Sequence, residues 1–259
     1  MDPIKTECES LKDLKTILDK AREWEIQLLV IGGWAVNAHV GSYRYTKDID
    51  LVMKTVGLSS LKALLKDQGY QVEDRGIYIA GQKEIEDVQV KVHISIGDIV
   101  DTSRGYALKY SIDENAYRNA PLLPIRSFHS QCREYEVVAP ILPISNLFIA
   151  KLLPIGRELD VVDFVSLILK RGKEFDPDFI ANEVIKNDLA DVIESRIEDT
   201  AHDAASGELE RVWMAHTGQR MSRKDRNEIR LRFLRQLATR VRQLHSASSQ
   251  EYPEEEKIG

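Results

Sequence analysis

In the first third of the chain, segments whose apolar residues have helical spacing alternate with segments whose apolar residues are typical of strands. Apolar residues recur every three or four positions over residues 7–24, which predicts an amphipathic helix. The apolar run 28–31 then predicts a buried strand, Gly32-Gly33 interrupts it, and residues 34–40 are predicted as a short helix.

The next segments alternate between strand and helix. Residues 47–53 alternate as a strand does, 58–67 have helical spacing, and 71–80 and 88–96 are predicted as two further strands. Valine and isoleucine occupy every second position of 88–96, so its polar residues share the opposite face.

The pattern changes near residue 143. Prolines interrupt 98–142, where 122–128 and 134–139 are predicted as strands, whereas 144–246 has helical spacing almost throughout. We therefore predict an α+β protein in which a mixed sheet with flanking helices (1–142) is followed by an all-helical domain (143–246). The polar, acidic residues 247–259 are predicted to be a disordered tail.

Composition narrows the class of protein. The chain is 43% hydrophobic and 30% charged with a net charge of −6, as in ordinary soluble proteins, and it has no global positive field for nucleic acid. No apolar run approaches the roughly 20 residues of a membrane span, and the polar N-terminus is not of the secretory type. We therefore predict a cytoplasmic protein without a membrane partner, and free thiols at Cys8 and Cys132.

Two aspartates on the strand 47–53 are the first candidates for chemistry. Asp48 and Asp50 are two residues apart, so their side chains point to one face while Ile49 and Leu51 point into the core. Adjacent carboxylates repel, and a divalent cation such as Mg²⁺ relieves that repulsion. The spacing favours a metal-binding pair.

Gly32 and Gly33 form the second candidate. Glycine allows the backbone to approach a ligand closely, and the free N–H groups at a helix start bind anions. Each motif alone is common in proteins without a site there. Together they indicate a phosphate-binding turn beside a metal-binding strand.

The stretch Ile31–Val52 resembles the DNA polymerase β-type nucleotidyltransferases, in which a Gly-Gly or Gly-Ser turn precedes Asp-X-Asp or Asp-X-Glu on a strand. Its finer pattern, which includes Arg44, Thr46 and Asp48-Ile49-Asp50-Leu51, is similar to minimal nucleotidyltransferases of the AbiEii toxin-like type. A weaker resemblance covers 143–169, where a lysine precedes an arginine and an aspartate; here these are Lys151, Arg157 and either Asp160 or Asp163.

The resemblance implies a Mg²⁺-dependent transfer of a nucleotide from a nucleoside triphosphate to a hydroxyl, at a site that holds two metal ions. Asp48 and Asp50 are then the metal ligands and catalytic residues. The nucleotide and its phosphates would be bound by Gly32, Gly33, Arg44, Thr46, Lys151, Arg157 and Asp163. The acceptor is a protein, an RNA such as tRNA, or a small molecule. A toxin–antitoxin or phage-defence setting, with a cognate toxin or antitoxin as partner, is also implied.

One expected feature is absent from the sequence pattern. The superfamily commonly has a third carboxylate on a later strand, and the polar face of 88–96 carries no acid. His93 takes the expected position as a third catalytic residue, and Asp98 or Asp101 could supply an acid from the following segment. The alternative is a nucleotide-binding regulatory or antitoxin-type protein with weak or no activity.

A basic segment provides a further hypothesis. Residues 215–245 contain nine Lys and Arg against two acids. Arg223, Arg226 and Arg230 share a helical stripe with Leu234, Leu237 and Val241, which predicts a groove for a polyphosphate or an RNA acceptor. A solvated helix face is the alternative.

Overall fold

The computed structural model describes residues 2–132, 135–154 and 156–251. The chain divides into two compact units, Met1–Lys151 and Leu152–Gly259. The fold class is mixed α+β with a mixed sheet in the N-terminal half and helices after it, as predicted. The domain limits proposed from the sequence stay a prediction.

The first unit contains the strands and the first helices. Its helices are α1 (Pro3–Glu23), α2 (Gly32–Val40), α3 (Leu58–Asp67), α4 (Glu114–Arg118) and α5 (Ile144–Leu152, whose last residue lies beyond the unit). Its strands are β1 (Leu28–Val30), β2 (Ile49–Met53), β3 (Gln71–Asp74), β4 (Tyr78–Ile85), β5 (Val88–Ile96), β6 (Asp98–Asp101), β7 (Leu108–Ser111), β8 (Leu122–Arg126) and β9 (Glu136–Pro140).

The main sheet has five strands in the order β1-β2-β5-β4-β3. Strand β2 runs antiparallel to β1 and parallel to β5, and β4 runs antiparallel to both β5 and β3. The β2–β5 register places Asp50 directly beside His93. The central strands therefore carry the candidate polar residues side by side.

Helix α1 covers the apolar face of this sheet. The Asp2 side chain accepts a hydrogen bond from Ile4 N (2.9 Å) and caps the helix start, where Pro3 has no N–H that would need an acceptor. The helix contacts β5 and α3 through its buried apolar side chains. Its buried Asp13 carboxylate accepts hydrogen bonds from Tyr70 and Lys83, which ties the helix to the distal strands. The other face of β5 remains polar.

Two stretches differ from the sequence prediction. The predicted single strand 71–80 is two strands, because Gly76 adopts φ +79 and its N–H binds the Asp74 carboxylate (2.8 Å) to form a turn. The hairpin β6–β7 lies in the stretch for which no element was predicted. Short strands with few alternating positions leave little periodic signal.

The prediction of free thiols is wrong, because Cys8 and Cys132 form a disulfide with a Cα–Cα distance of 5.3 Å. Cys132 ends a 3₁₀ turn, Ser130–Cys132, that contacts the first turns of α1. This proximity arises from packing across a sequence separation of 124 residues, which spacing alone does not indicate.

The second unit is helical where it is described. It contains α6 (Glu158–Arg171), α7 (Pro177–Lys186), α8 (Ala190–Ser206), α9 (Glu208–Thr217), α10 (Arg223–Asn227), a π-helical segment (Glu228–Leu234) and α11 (Arg235–Glu251). Residues 252–259 of the predicted tail lie outside the described residues. No helix within the described residues is long and apolar enough to cross a membrane.

Three arginines of the basic segment, Arg226, Arg240 and Arg242, are paired with acids of their own unit. Arg226 contacts Glu210 (2.7 Å), and Arg242 contacts Glu194 (2.9 Å). Leu234 and Val241 are buried, whereas Arg223 is exposed and does not share their environment. The side chain of Arg230, the third arginine of the stripe, lies outside the described residues, and the basic groove stays a prediction.

Candidate active site

The two aspartates stand at the start of β2. Asp48 immediately precedes the strand and Asp50 is its second residue; both are half-buried. Ile49 and Leu51 are fully buried and fix the strand in the core. As inferred from the alternating sequence, Ile49 and Leu51 point into the core, and both carboxylates remain accessible on the other face.

Gly32 lies against the Asp50 carboxylate. A Cβ atom at position 32 would be 2.2 Å from Asp50 Oδ2, and Gly32 has φ +65, a conformation that favours glycine. Helix α2 begins at this residue, and its N-cap residue, Ile31, makes no side-chain capping bond. The free N–H groups of the helix start and the carboxylate thus lie at one place.

His93 is the third residue at this place. Its Nδ1 atom lies 3.5 Å from Asp50 Oδ1. A side-chain hydrogen bond to Asp50 raises the pKa of His93 against the opposing effect of burial. Its ring also meets Tyr78 edge-on at 6.4 Å between centroids. The imidazole is therefore held beside the carboxylate.

Asp98 and Asp101, the other candidates for a third acid, are engaged in the β6–β7 hairpin. Asp98 Oδ1 accepts a hydrogen bond from Ser111 (2.7 Å), and the buried Asp101 accepts one from Ser103 Oγ (2.7 Å). Of the three alternatives considered, His93 is the one that the structure brings into contact with Asp50.

Arg44 and Thr46 lie behind the glycine turn. Both are buried, and Arg44 Nη1 donates to Tyr45 O (2.9 Å) and to Thr46 Oγ1 (3.3 Å). A Cβ atom on Gly33 would be 2.7 Å from Arg44 Nη2. The guanidinium thus supports the turn from its protein side and adds positive charge there. Direct contact of these two residues with phosphate stays a prediction.

A buried carboxylate, not identified from the sequence, supports the loop before Asp48. Glu7 is fully buried, and it accepts hydrogen bonds from Thr46 N (3.2 Å) and Ser127 Oγ (2.5 Å). It also contacts the backbone N–H (3.1 Å) and Nδ1 (2.8 Å) of His129. The sequence did contain a sign of this buried role. Glu7 stands four residues before Leu11, which places an acid on the apolar face of α1.

Three of the predicted nucleotide-binding residues, Lys151, Arg157 and Asp163, lie on or next to helices α5 and α6. Lys151 is buried near the end of α5. In the second unit, Arg157 Nε lies 3.1 Å from Asp160, and Asp163 is fully buried within α6. Their contact with a nucleotide stays a prediction.

The donor set around Asp50 fits a hard cation. Mg²⁺ takes one or two protein carboxylates and completes its coordination with phosphate oxygens and water. Asp48 and Asp50 supply such a pair, and the bare Cα of Gly32 leaves one Asp50 oxygen uncovered. Among the described residues, no group of three or more His, Cys, Asp and Glu could hold a metal alone.

The part of the chain that contains this site matches a known protein family. The family model of aminoglycoside-2''-adenylyltransferase matches residues 13–116, a range that holds the glycine turn, both aspartates and His93. No curated protein matches the chain.

Three solved structures are similar at low identity. The solution structure of the antibiotic-resistance factor ANT(2'')-Ia is 16% identical, with 81% of this chain and all of that one covered and a TM-score of 0.44. The crystal structure of ANT(2'')-Ia with adenylyl-2''-tobramycin is 20% identical (63% and 90% covered, TM-score 0.38). Lincomycin-bound LnuA, a lincosamide antibiotic adenylyltransferase, is 20% identical (60% and 94% covered, TM-score 0.40).

The family match rests on the segment that forms the site, and it covers about two-fifths of the chain. Residues 13–116 are thus similar to the aminoglycoside-2''-adenylyltransferase family.

Proposed function

We propose that this protein is a nucleotidyltransferase that transfers the adenylyl group of ATP to a hydroxyl of a small molecule. The observation that carries the proposal is the contact between the glycine turn and the Asp50 carboxylate, where a Cβ atom would lie 2.2 Å from Oδ2. A triphosphate bound at the start of α2 would meet the carboxylate pair without any side chain between them.

The glycine turn binds the phosphates in this proposal. The N–H groups at the start of α2 point to the anion, and the helix dipole favours negative charge there. Arg44, behind Gly33, adds a fixed positive charge under the turn. The turn therefore orients the triphosphate and neutralises part of its charge, which is most of what phosphoryl-type transfer requires.

Asp48 and Asp50 would hold Mg²⁺, which supplies charge neutralisation of the triphosphate when bound. The acceptor oxygen forms a bond to the α-phosphorus of ATP, the bond from that phosphorus to the bridging oxygen breaks, and pyrophosphate leaves. His93, 3.5 Å from Asp50, receives the proton of the acceptor hydroxyl. The products are the adenylylated acceptor and pyrophosphate.

A small-molecule acceptor is favoured over protein or RNA. The matching family model is that of an enzyme class that modifies an aminoglycoside, a small molecule. The toxin–antitoxin setting and the AbiEii-type relationship stay predictions from the sequence. We place the reaction in the cytoplasm, where ATP and Mg²⁺ are plentiful.

The experiment is incubation of the purified chain with Mg²⁺, ATP labelled at the α-phosphate and a library of hydroxylated small molecules. Asp50→Asn should lower the rate of pyrophosphate release by roughly 10²-fold or more, because one charged contact of the transition state is lost. His93→Gln should lower the rate by about 10²-fold or more at unchanged ATP affinity.

The matched control is Asp67→Asn, at the exposed end of α3. It should leave the rate unchanged. ATP binding without label transfer to any acceptor would favour the alternative, a nucleotide-binding protein with weak or no activity.

A further inference from the structure

A cleft of about 390 Å³ opens on the polar face of the sheet beside the candidate active site. It is formed by β3, β4 and β5, and His93 is one of its lining residues. Because His93 also contacts Asp50, the cleft begins where the acceptor hydroxyl of the proposed reaction would stand. A molecule in the cleft could therefore present its hydroxyl to the carboxylate pair.

The strand register defines the floor of this cleft. His93 has Asp50 on one side and Ala80 on the other, and Lys91 has Gln82 as its neighbour on β4. Ala80 presents only a methyl group beside His93. The cleft is therefore lined by a small side chain next to the histidine and by the amide group of Gln82 next to the lysine.

Two of the charged side chains that line the cleft pair with each other, whereas Lys91 does not pair with an acid in the part of the chain that the structure describes. Arg75 is paired with Glu73 at 2.8 Å, so these two charges offset each other. Lys91 is exposed, and among the described residues it forms no ion pair with a carboxylate. Gln82, its neighbour on β4, and Gln71, the neighbour of Gln82 on β3, are neutral donors and acceptors. The lysine is therefore the charge that a ligand in the cleft would meet.

We propose that this cleft is the acceptor subsite and that it selects a hydroxyl compound bearing a phosphate or carboxylate group, which Lys91 binds. This inference rests on the proposed transfer reaction. Residues two apart on a strand are separated by about 7 Å, so the acceptor's anionic group stands a few bonds from its reacting hydroxyl. A polycationic acceptor would be repelled by Lys91, and the one acid among the residues that line the cleft, Glu73, is already paired with Arg75.

The test uses full-length protein with Mg²⁺ and a non-hydrolysable ATP analogue. The affinity of the analogue is measured first, by calorimetry, in the wild type, in Lys91→Glu and in Lys109→Glu. Lys109 is an exposed lysine of β7 and serves as the matched control. All three proteins should bind the analogue within about twofold of one another, since Lys91 is assigned to the acceptor and not to the donor.

The saturated proteins are then titrated with glycerol 3-phosphate and, separately, with the polycation tobramycin. Wild type and Lys109→Glu should bind the phosphate compound more tightly than tobramycin. Lys91→Glu should bind it at least tenfold more weakly and should gain affinity for tobramycin.

Several results would overturn the inference. They are tighter binding of tobramycin by the wild type, no binding of the phosphate compound, equal behaviour of the two lysine variants, or an analogue affinity that falls only in Lys91→Glu. The last result would assign Lys91 to the triphosphate. A wild type that does not bind the analogue at all would instead count against the proposed function itself.

Discussion

Gly32 and Asp50 show how much of the proposed chemistry depends on one missing methyl group. The carboxylate oxygen occupies the space that a side chain at position 32 would take, and the glycine has a φ of +65. The effect of the backbone conformation can be separated from that of the contact with Asp50, because a second glycine with a similar backbone has open space around it. Gly69 has φ +83, and a Cβ atom there would meet nothing within 4 Å beyond its chain neighbours.

Gly32→Ala should therefore lose activity beyond its effect on stability. The strained backbone costs about 1–2 kcal/mol in either variant. The displaced Asp50 carboxylate should lower kcat/KM by about 10²-fold or more in Gly32→Ala alone. Gly69→Ala should keep wild-type kcat/KM with a similar loss of stability. Chemical denaturation and the label-transfer assay measure the two effects, and equal kcat/KM in both variants would contradict the assignment.

At the scale of elements, one buried carboxylate joins three segments. Glu7 on α1 binds the backbone before Asp48 through Thr46, and it binds the loop after β8 through Ser127 and His129. The loop that carries Asp48 is thus held by a helix residue that lies 39 positions before Thr46 in the chain. The position of Asp48 depends on this polar contact as well as on its own strand.

Glu7→Gln should destabilise the protein and weaken its activity. One accepting oxygen becomes an amide donor, so buried donors lose their partner, at a cost of about 1–3 kcal/mol. We expect kcat/KM to fall even where the variant is fully folded, because the loss of the bond to Thr46 N releases the loop before Asp48. Glu23→Gln, at the exposed end of α1, should change stability by no more than about 0.5 kcal/mol. A folded Glu7→Gln with wild-type kcat/KM would show that Glu7 only stabilises the fold.

At the scale of the whole molecule, the Cys8–Cys132 disulfide closes a loop that contains the sheet and the candidate site. A cross-link between two residues 124 positions apart strongly reduces the conformational entropy of the unfolded chain. In the cytoplasm, where thiols are kept reduced, this contribution would be absent unless the pair is protected. The stability of the first unit therefore depends on the redox conditions.

Reduction should lower the stability of the wild type by about 2–5 kcal/mol. Denaturation is measured with and without dithiothreitol, and the variant Cys8→Ser with Cys132→Ser serves as the control. The variant should not respond to the reductant and should match the reduced wild type. An oxidised wild type no more stable than the double variant would contradict the prediction.

The sequence by itself determined the local parts of the site. The Gly-Gly turn, the alternation of β2 and the polar face of β5 follow from short-range patterns, since periodicity of two fixes which side chains share a face. The residues Asp48, Asp50 and His93 could therefore be selected from residue spacing and resemblance alone, and the α+β class followed from the change in periodicity near residue 143.

Only the tertiary structure decided how these parts meet. The register that sets His93 beside Asp50, the contact of Gly32 with Asp50, the Glu7 bonds and the Cys8–Cys132 pair all join positions distant in the chain. Such contacts depend on how strands pair and how helices pack, and residue spacing carries no direct record of either. The uncompensated charge of Lys91 became visible for the same reason, once its neighbours on other strands were known.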